Sequence, residues 1–170
     1  YLQPYAEILD SFARHAAGAD VALVEGNKGL YDGLDLAGSN SNAALAELLG
    51  LPVVLVLDAR GMTRGIAPLI LGYQAFDARI RIAGVILNRL GGSRHEAKLR
   101  AVIEHYTDVP VLGAVHDDEG VGIAERDQPA LRAGAQVVEH LLADRAVDHA
   151  AHLRLVLEDE RHVEHVELVD

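Results

Sequence analysis

Apolar residues at Tyr5, Ile8, Leu9 and Phe12 recur three and four apart, which predicts an amphipathic helix over residues 3–17 with Gly18 as its stop. Val21–Val24 is a short apolar run that reads as a buried strand. It opens into a loop holding Gly26, Gly29 and Gly33, two carboxylates (Glu25 and Asp32) and one cation, Lys28. Ser39-Asn-Ser-Asn42 then supplies N-cap residues for a helix over Ala43–Leu49. Gly50 ends that helix and Pro52 blocks its continuation. Val53–Leu57 is apolar without alternation and Asp58 closes it, so it reads as a strand buried on both faces.

Ile66, Leu69, Ile70, Tyr73 and Phe76 share one helical face within residues 62–76. Pro68 fits there only if the regular helix begins just before it. Ile82–Leu87 predicts a third buried strand, followed by Asn88-Arg89 and the pair Gly91-Gly92. Ser93-x-x-Glu96 has the form of a capping box, and Leu99, Val102, Ile103 and Tyr106 form the next helix face. Val109–Ala114 reads as a fourth strand. Helices and strands alternate throughout, which predicts an α/β domain with a mostly parallel sheet. Past residue 125 the pattern weakens. Gln136–Leu142 reads as a short helix, and the last twenty or so residues as partly disordered.

Composition narrows the function classes. The 170 residues are 50% hydrophobic and 24% charged, enough for one folded core. Lys and Arg number 15 against 26 Asp and Glu, a net charge of −11, which argues against nucleic-acid binding. No apolar run approaches the ~20 residues of a membrane span, and no secretory leader pattern occurs. There is no cysteine, so neither a disulfide framework nor a Cys nucleophile is available. A cytoplasmic location fits.

Three phosphate and nucleophile signatures are missing: Gly-x-x-x-x-Gly-Lys-Ser/Thr, Gly-x-Gly-x-x-Gly and Gly-x-Ser-x-Gly. His149 with His152, and His162 with His165, have a metal-ligand spacing, but a solvated acidic tail rich in histidine is the stronger reading. For His116-Asp117-Asp118 a solvated turn outweighs a ligand contact. Asp58 and Arg60 read equally as a local ion pair and as a functional pair. For the Gly-rich loop after Val24, a surface turn and a ligand site at the carboxyl end of a strand are evenly matched on spacing alone.

The wording of that loop decides between them. Glu25-Gly-Asn-Lys-Gly-Leu-Tyr-Asp-Gly33 resembles the signature Val-Glu-Gly-x-x-Gly-Leu-Tyr-Asp-Gly of the cobyrinate a,c-diamide synthases. Val53–Met62 and Ile82–Arg89 resemble two further segments of that family, in order. The likeness covers residues 1–126. Gly38–Asn42 and Thr63–Pro68 look most like its siroheme-amidating branch.

The resemblance implies a three-layer α/β/α fold of P-loop NTPase type, similar to dethiobiotin synthetase. It implies a ligase that uses ATP and Mg²⁺ to activate tetrapyrrole side-chain carboxylates and ammonia from glutamine to amidate them. Glu25 and Asp32 would be catalytic, with Glu25 also a metal ligand. Lys28, Tyr31 and Ser41 would meet the substrate, and Asn88 and Arg89 would bind the nucleotide, Asn88 at the adenine edge. Ammonia would come from a glutaminase domain. A homodimer is compatible with this reading; nucleic-acid and membrane partners are not expected.

The same resemblance exposes departures. Family members begin with a strand, a phosphate loop and a helix that this chain lacks, and end in a glutaminase whose nucleophile is Cys. After Glu125-Arg126 the family wording stops. The expectation is a partial amidoligase domain over 1–126, incomplete as an isolated chain, with an unmatched acidic, His-rich tail over 127–170. Two other readings stand beside it: a non-catalytic α/β domain that associates with a partner chain, and a ligase of the dethiobiotin synthetase type.

Overall fold

In the computed structural model, residues 3–117 and 154–159 are described. The helix α1 (Tyr5–His15) leads into strand β1 (Ala22–Gly26). Then come α2 (Asn42–Leu49), β2 (Val53–Asp58), α3 (Ile66–Phe76), β3 (Ile82–Leu90), α4 (Ser93–Tyr106), β4 (Val111–His116) and β5 (Arg154–Asp159). All strand pairs are parallel and the order across the sheet is β1-β5-β2-β3-β4.

The centre of the sheet follows from the apolar run of β2, where Val53 to Val56 and Leu57 are all buried. Val53, Leu55 and Leu57 face one cluster with Ile66, Ile70, Leu99 and Ile103 from the helices. Val54 and Val56 face the other way, with Ile86, Leu112 and Val115. This two-sided burial is what an unalternating apolar strand requires. Residues from all four described helices pack against the first cluster, so they form one helical layer. Among the described residues the opposite cluster is built from strand residues alone.

Several boundaries differ from the pattern-based reading. Glu25 and Gly26 belong to β1 rather than to the loop, and β1 is only half-buried because it is an edge strand. β3 runs on through Asn88, Arg89 and Leu90. α3 starts at Ile66, which places Pro68 in its first turn, where the missing N–H has no partner to lose.

The capping box does not form. Gly92, at φ 123°, is the N-cap of α4, so Ser93 is already the first helical residue and caps nothing. Glu96 turns instead to Arg100 and to His116. Residues 154–159, within the stretch expected to be partly disordered, pair as a strand between β1 and β2. Gln136–Leu142 and the two histidine pairs lie outside the described residues.

Candidate functional site

The loop after β1 is tightly determined. The Asp32 N–H donates to the Gly29 carbonyl at 2.8 Å, closing a turn, and the Asp32 carboxylate lies where a Cβ on Gly29 would sit. Gly33 is as constrained, because a Cβ there would come within 2.7 Å of the Gly38 Cα. Leu30 is buried and its carbonyl accepts the Ala43 N–H, which fastens the loop to α2. Asn42 donates its side-chain amide to the Lys28 carbonyl at 2.6 Å. Asp35 accepts the Ser39 hydroxyl and backbone N–H, and these bonds hold its carboxyl below the ordinary range.

Each expected substrate residue has a defined place here. Ser41 is buried and caps α2, its hydroxyl accepting the Ala44 N–H at 3.1 Å. Tyr31 donates its hydroxyl to the Tyr73 carbonyl at 2.7 Å. Its ring stacks on Tyr73 at 6.0 Å and meets Phe76 at 4.5 Å. Lys28 contributes the carbonyl that Asn42 holds. Tyr31 and Ser41 line a cavity of about 490 Å³ with Tyr5, Leu36, Phe76 and Arg79. Arg79 sits at its rim, paired with Asp77 at 2.7 Å and Glu47 at 3.0 Å. The pairing with Arg79 holds the Asp77 carboxyl below its usual range.

Asn88 and Arg89 lie elsewhere. The β3–β4 register shifts between Leu87 and Leu90, so this pair forms a bulge at the carboxyl edge of the sheet. Arg89 adopts φ 57°, the left-handed region that a non-glycine residue enters at a cost. Asn88 is buried and its Oδ1 accepts the Arg89 N–H at 3.0 Å. Asp58, level with Asn88 in the register, is gripped by Arg60 through Nε at 3.0 Å and Nη2 at 2.7 Å, with Arg89 at 3.7 Å. That ion pair raises the Arg60 pKa, first through its hydrogen bond to Asp58.

His95 ties two loops of this edge together. Its Nδ1 accepts the Gly91 N–H at 3.2 Å, so Nε2 carries the proton and donates to the Met62 carbonyl at 2.7 Å.

The register separates the two groups. Glu25 is level, through Leu157, with Val54, whereas Asn88 is level with Asp58. Four strand residues separate those levels, roughly 13 Å of rise. Glu25 therefore sits deeper along the sheet than the nucleotide candidates. Pattern reading missed the aromatic partners Tyr73 and Phe76, taken only as a helix face, and the bridging role of His95. Their three-residue spacing beside a motif tyrosine was the available signal for the aromatics; His95 gave none.

Fit to ATP and Mg²⁺ is partial. Asn88 offers an amide and Arg89 a cation for a nucleotide. Among the described residues no group of three His, Asp or Glu is arranged to hold a metal ion. The α2 N-terminus already has its own side-chain cap. The described residues thus carry base-side and carboxylate candidates without a phosphate cradle.

The AAA domain family matches residues 5–124, which with the all-parallel α/β sheet indicates a P-loop NTPase-like fold. The chain belongs to this family, and within it is similar to cobyrinate a,c-diamide synthases. It is 48% identical over 120 residues to the cobyrinate a,c-diamide synthase of Magnetococcus marinus, covering 71% of this chain and 26% of that protein. It is 43% identical over 153 residues to the enzyme of the same name from Methanosarcina acetivorans, covering 85% and 31%. The hydrogenobyrinate a,c-diamide synthase of Thermobifida fusca is 45% identical over 138 residues, covering 78% and 29%. The chain thus spans between a quarter and a third of the length of these relatives. No solved structure matches it. No helix among the described residues is long and apolar enough to cross a membrane.

Proposed function

We propose that this chain is the part of a cytoplasmic amidoligase that presents a tetrapyrrole carboxylate for activation by ATP. The observation that carries the reading is the loop from Glu25 to Gly33. Its glycines admit the Asp32 carboxylate and a close Gly33–Gly38 approach, and its Tyr31 sits among aromatic rings beside a cavity. Rings around a concave surface suit a flat, largely apolar macrocycle. Two of the relatives are named for cobyrinate and one for hydrogenobyrinate, which supports a corrinoid acid as substrate. Siroheme is the second substrate we propose, on the wording of Gly38–Asn42.

In this proposal Glu25 and Asp32 act at the reacting carboxylate. An anionic acceptor and ATP repel one another, so Glu25 would share Mg²⁺ with ligands from the rest of the enzyme. Lys28, Tyr31 and Ser41 shape the substrate side, and the Ser41 hydroxyl, which accepts the Ala44 N–H, still carries a proton it can donate. Asn88 and Arg89 serve the nucleotide. Glutamine supplies ammonia through a separate glutaminase domain.

A chimera tests this directly. Residues 5–124 replace the matching segment of the Magnetococcus marinus enzyme, and amidation of cobyrinate is measured with ATP and glutamine. Retained amidation supports the proposal. A folded, inactive chimera contradicts it.

A further inference from the structure

A closed circuit of hydrogen bonds surrounds Asn88 and Arg89. The Ala59 N–H donates to the Asn88 carbonyl at 2.8 Å, and the Met62 N–H donates to the Ala59 carbonyl at 3.0 Å. The Met62 carbonyl accepts from His95 Nε2 at 2.7 Å. His95 Nδ1 accepts the Gly91 N–H at 3.2 Å, and the short run of chain from Gly91 back to Asn88 closes the ring. Ala59 and Met62 belong to the turn after β2, and His95 to the first turn of α4. The His95 imidazole is the side chain that completes the circuit.

Arg89 needs such a frame. A non-glycine residue at φ 57° persists where its surroundings over-determine it. On the β4 side the Asp117 N–H holds the Leu90 carbonyl at 2.9 Å. On the β2 side the frame is the His95 ring. A side chain in the first turn that reaches back to cap α4 would account for the Nδ1 bond alone. The Nε2 bond goes to a residue 33 positions away and serves no helix end. One ring nitrogen accepts and the other donates, which the neutral imidazole protonated on Nε2 supplies.

We propose that His95 is a positioning residue for base recognition: through Gly91 and Met62 it fixes the angle at which the Asn88 amide meets adenine. This rests on the reading of Asn88 as the adenine contact. A site that discriminates by hydrogen bonds does so only while its donor and acceptor are correctly aimed. His95 itself touches no substrate; it acts through the bulge.

Two measurements test this. In the full chain, His95→Ala should speed hydrogen exchange at the Gly91 and Ala59 amides and leave the β2 interior unchanged. Unchanged exchange at Ala59 overturns the circuit. In the chimera carrying residues 5–124, equilibrium affinities are measured for ATP and for inosine triphosphate, which has an oxygen in place of the adenine amino group. His95→Ala should reduce the preference for ATP roughly tenfold, the size of one lost polar contact, as Asn88→Leu does. The KM for cobyrinate should not move. His95→Asn keeps an acceptor near Nδ1 and His95→Gln a donor near Nε2, so both should fall between; they carry the test if His95→Ala does not fold. Preference lost in Asn88→Leu but kept in the His95 variants overturns the positioning role, whatever happens to melting temperature. Preference unaffected by Asn88→Leu shows instead that the Asn88 reading is wrong, and the proposal falls with it.

Discussion

The Asp32 carboxylate occupies the space that a Cβ on Gly29 would fill. Gly29 is therefore required by the position of Asp32 rather than by its own backbone angles. Adding a methyl group must move that carboxylate, but the obstacle is a flexible side-chain end. Gly29→Ala should shift stability by less than about 1 kcal/mol, at the mild end of overpacking. Turnover of the chimera should nevertheless fall as far as in Asp32→Asn. Melting temperature and amidation rate measured on the same preparations check this; a normal rate in Gly29→Ala would detach Asp32 from the chemistry.

Asn88 offers a second test. Its Oδ1 accepts the Arg89 N–H inside a bulge, and its amide is the proposed contact to the adenine edge. Asn88→Leu in the chimera should raise the KM for ATP, with a loss on the order of 1–3 kcal/mol from polar groups left unpaired. The KM for cobyrinate should stay unchanged. A normal ATP dependence with an intact circular dichroism spectrum would remove Asn88 from the nucleotide site.

Glu96 sets an acid-sensitive contact between α4 and β4. Arg100 foremost, then His116, hold its carboxyl below the usual glutamate range. A depressed carboxyl pKa stabilises the fold fully above the unfolded value near ~4.3 and loses that contribution as pH falls through the folded value. Glu96→Gln should thus lower the melting temperature at neutral pH and converge with the unmodified chain in acid. Thermal melts from pH 7 down to pH 3 measure it, and parallel curves would deny the linkage.

What could be read from the sequence follows the physics of each element. β2 was legible because Val53–Leu57 is an unbroken apolar run, and a strand buried on both faces needs nothing else. The cap of α2 was legible because Ser41 is a local signal with a local partner, Ala44. The capping box over Ser93–Glu96 misled because Gly92 took the cap and two more distant groups, Arg100 and His116, competed for Glu96. The β3 bulge was hidden, since the left-handed backbone of Arg89 carries no residue signature. β5 was hidden for a different reason: its partners, β1 and β2, lie far earlier in the chain, so no local pattern announces the pairing. The candidate site was legible as wording around Glu25 and Asp32, but its aromatic wall depends on Tyr73 and Phe76, which approach only in three dimensions.

In the proposed function the stretch from Glu25 to Gly33 is the chemical centre, with Glu25 on the metal side and Asp32 on the substrate side. Amidation by the Glu25→Gln and Asp32→Asn chimeras, normalised to folded protein and followed across a Mg²⁺ series, tests it most directly. Glu25→Gln should abolish amidation and blunt the response to Mg²⁺. Asp32→Asn should slow turnover, or change which carboxylate is amidated, while the Mg²⁺ response is kept. Lowered melting temperatures with unchanged activity per folded molecule in both variants would contradict this assignment and leave the two carboxylates as parts of the scaffold.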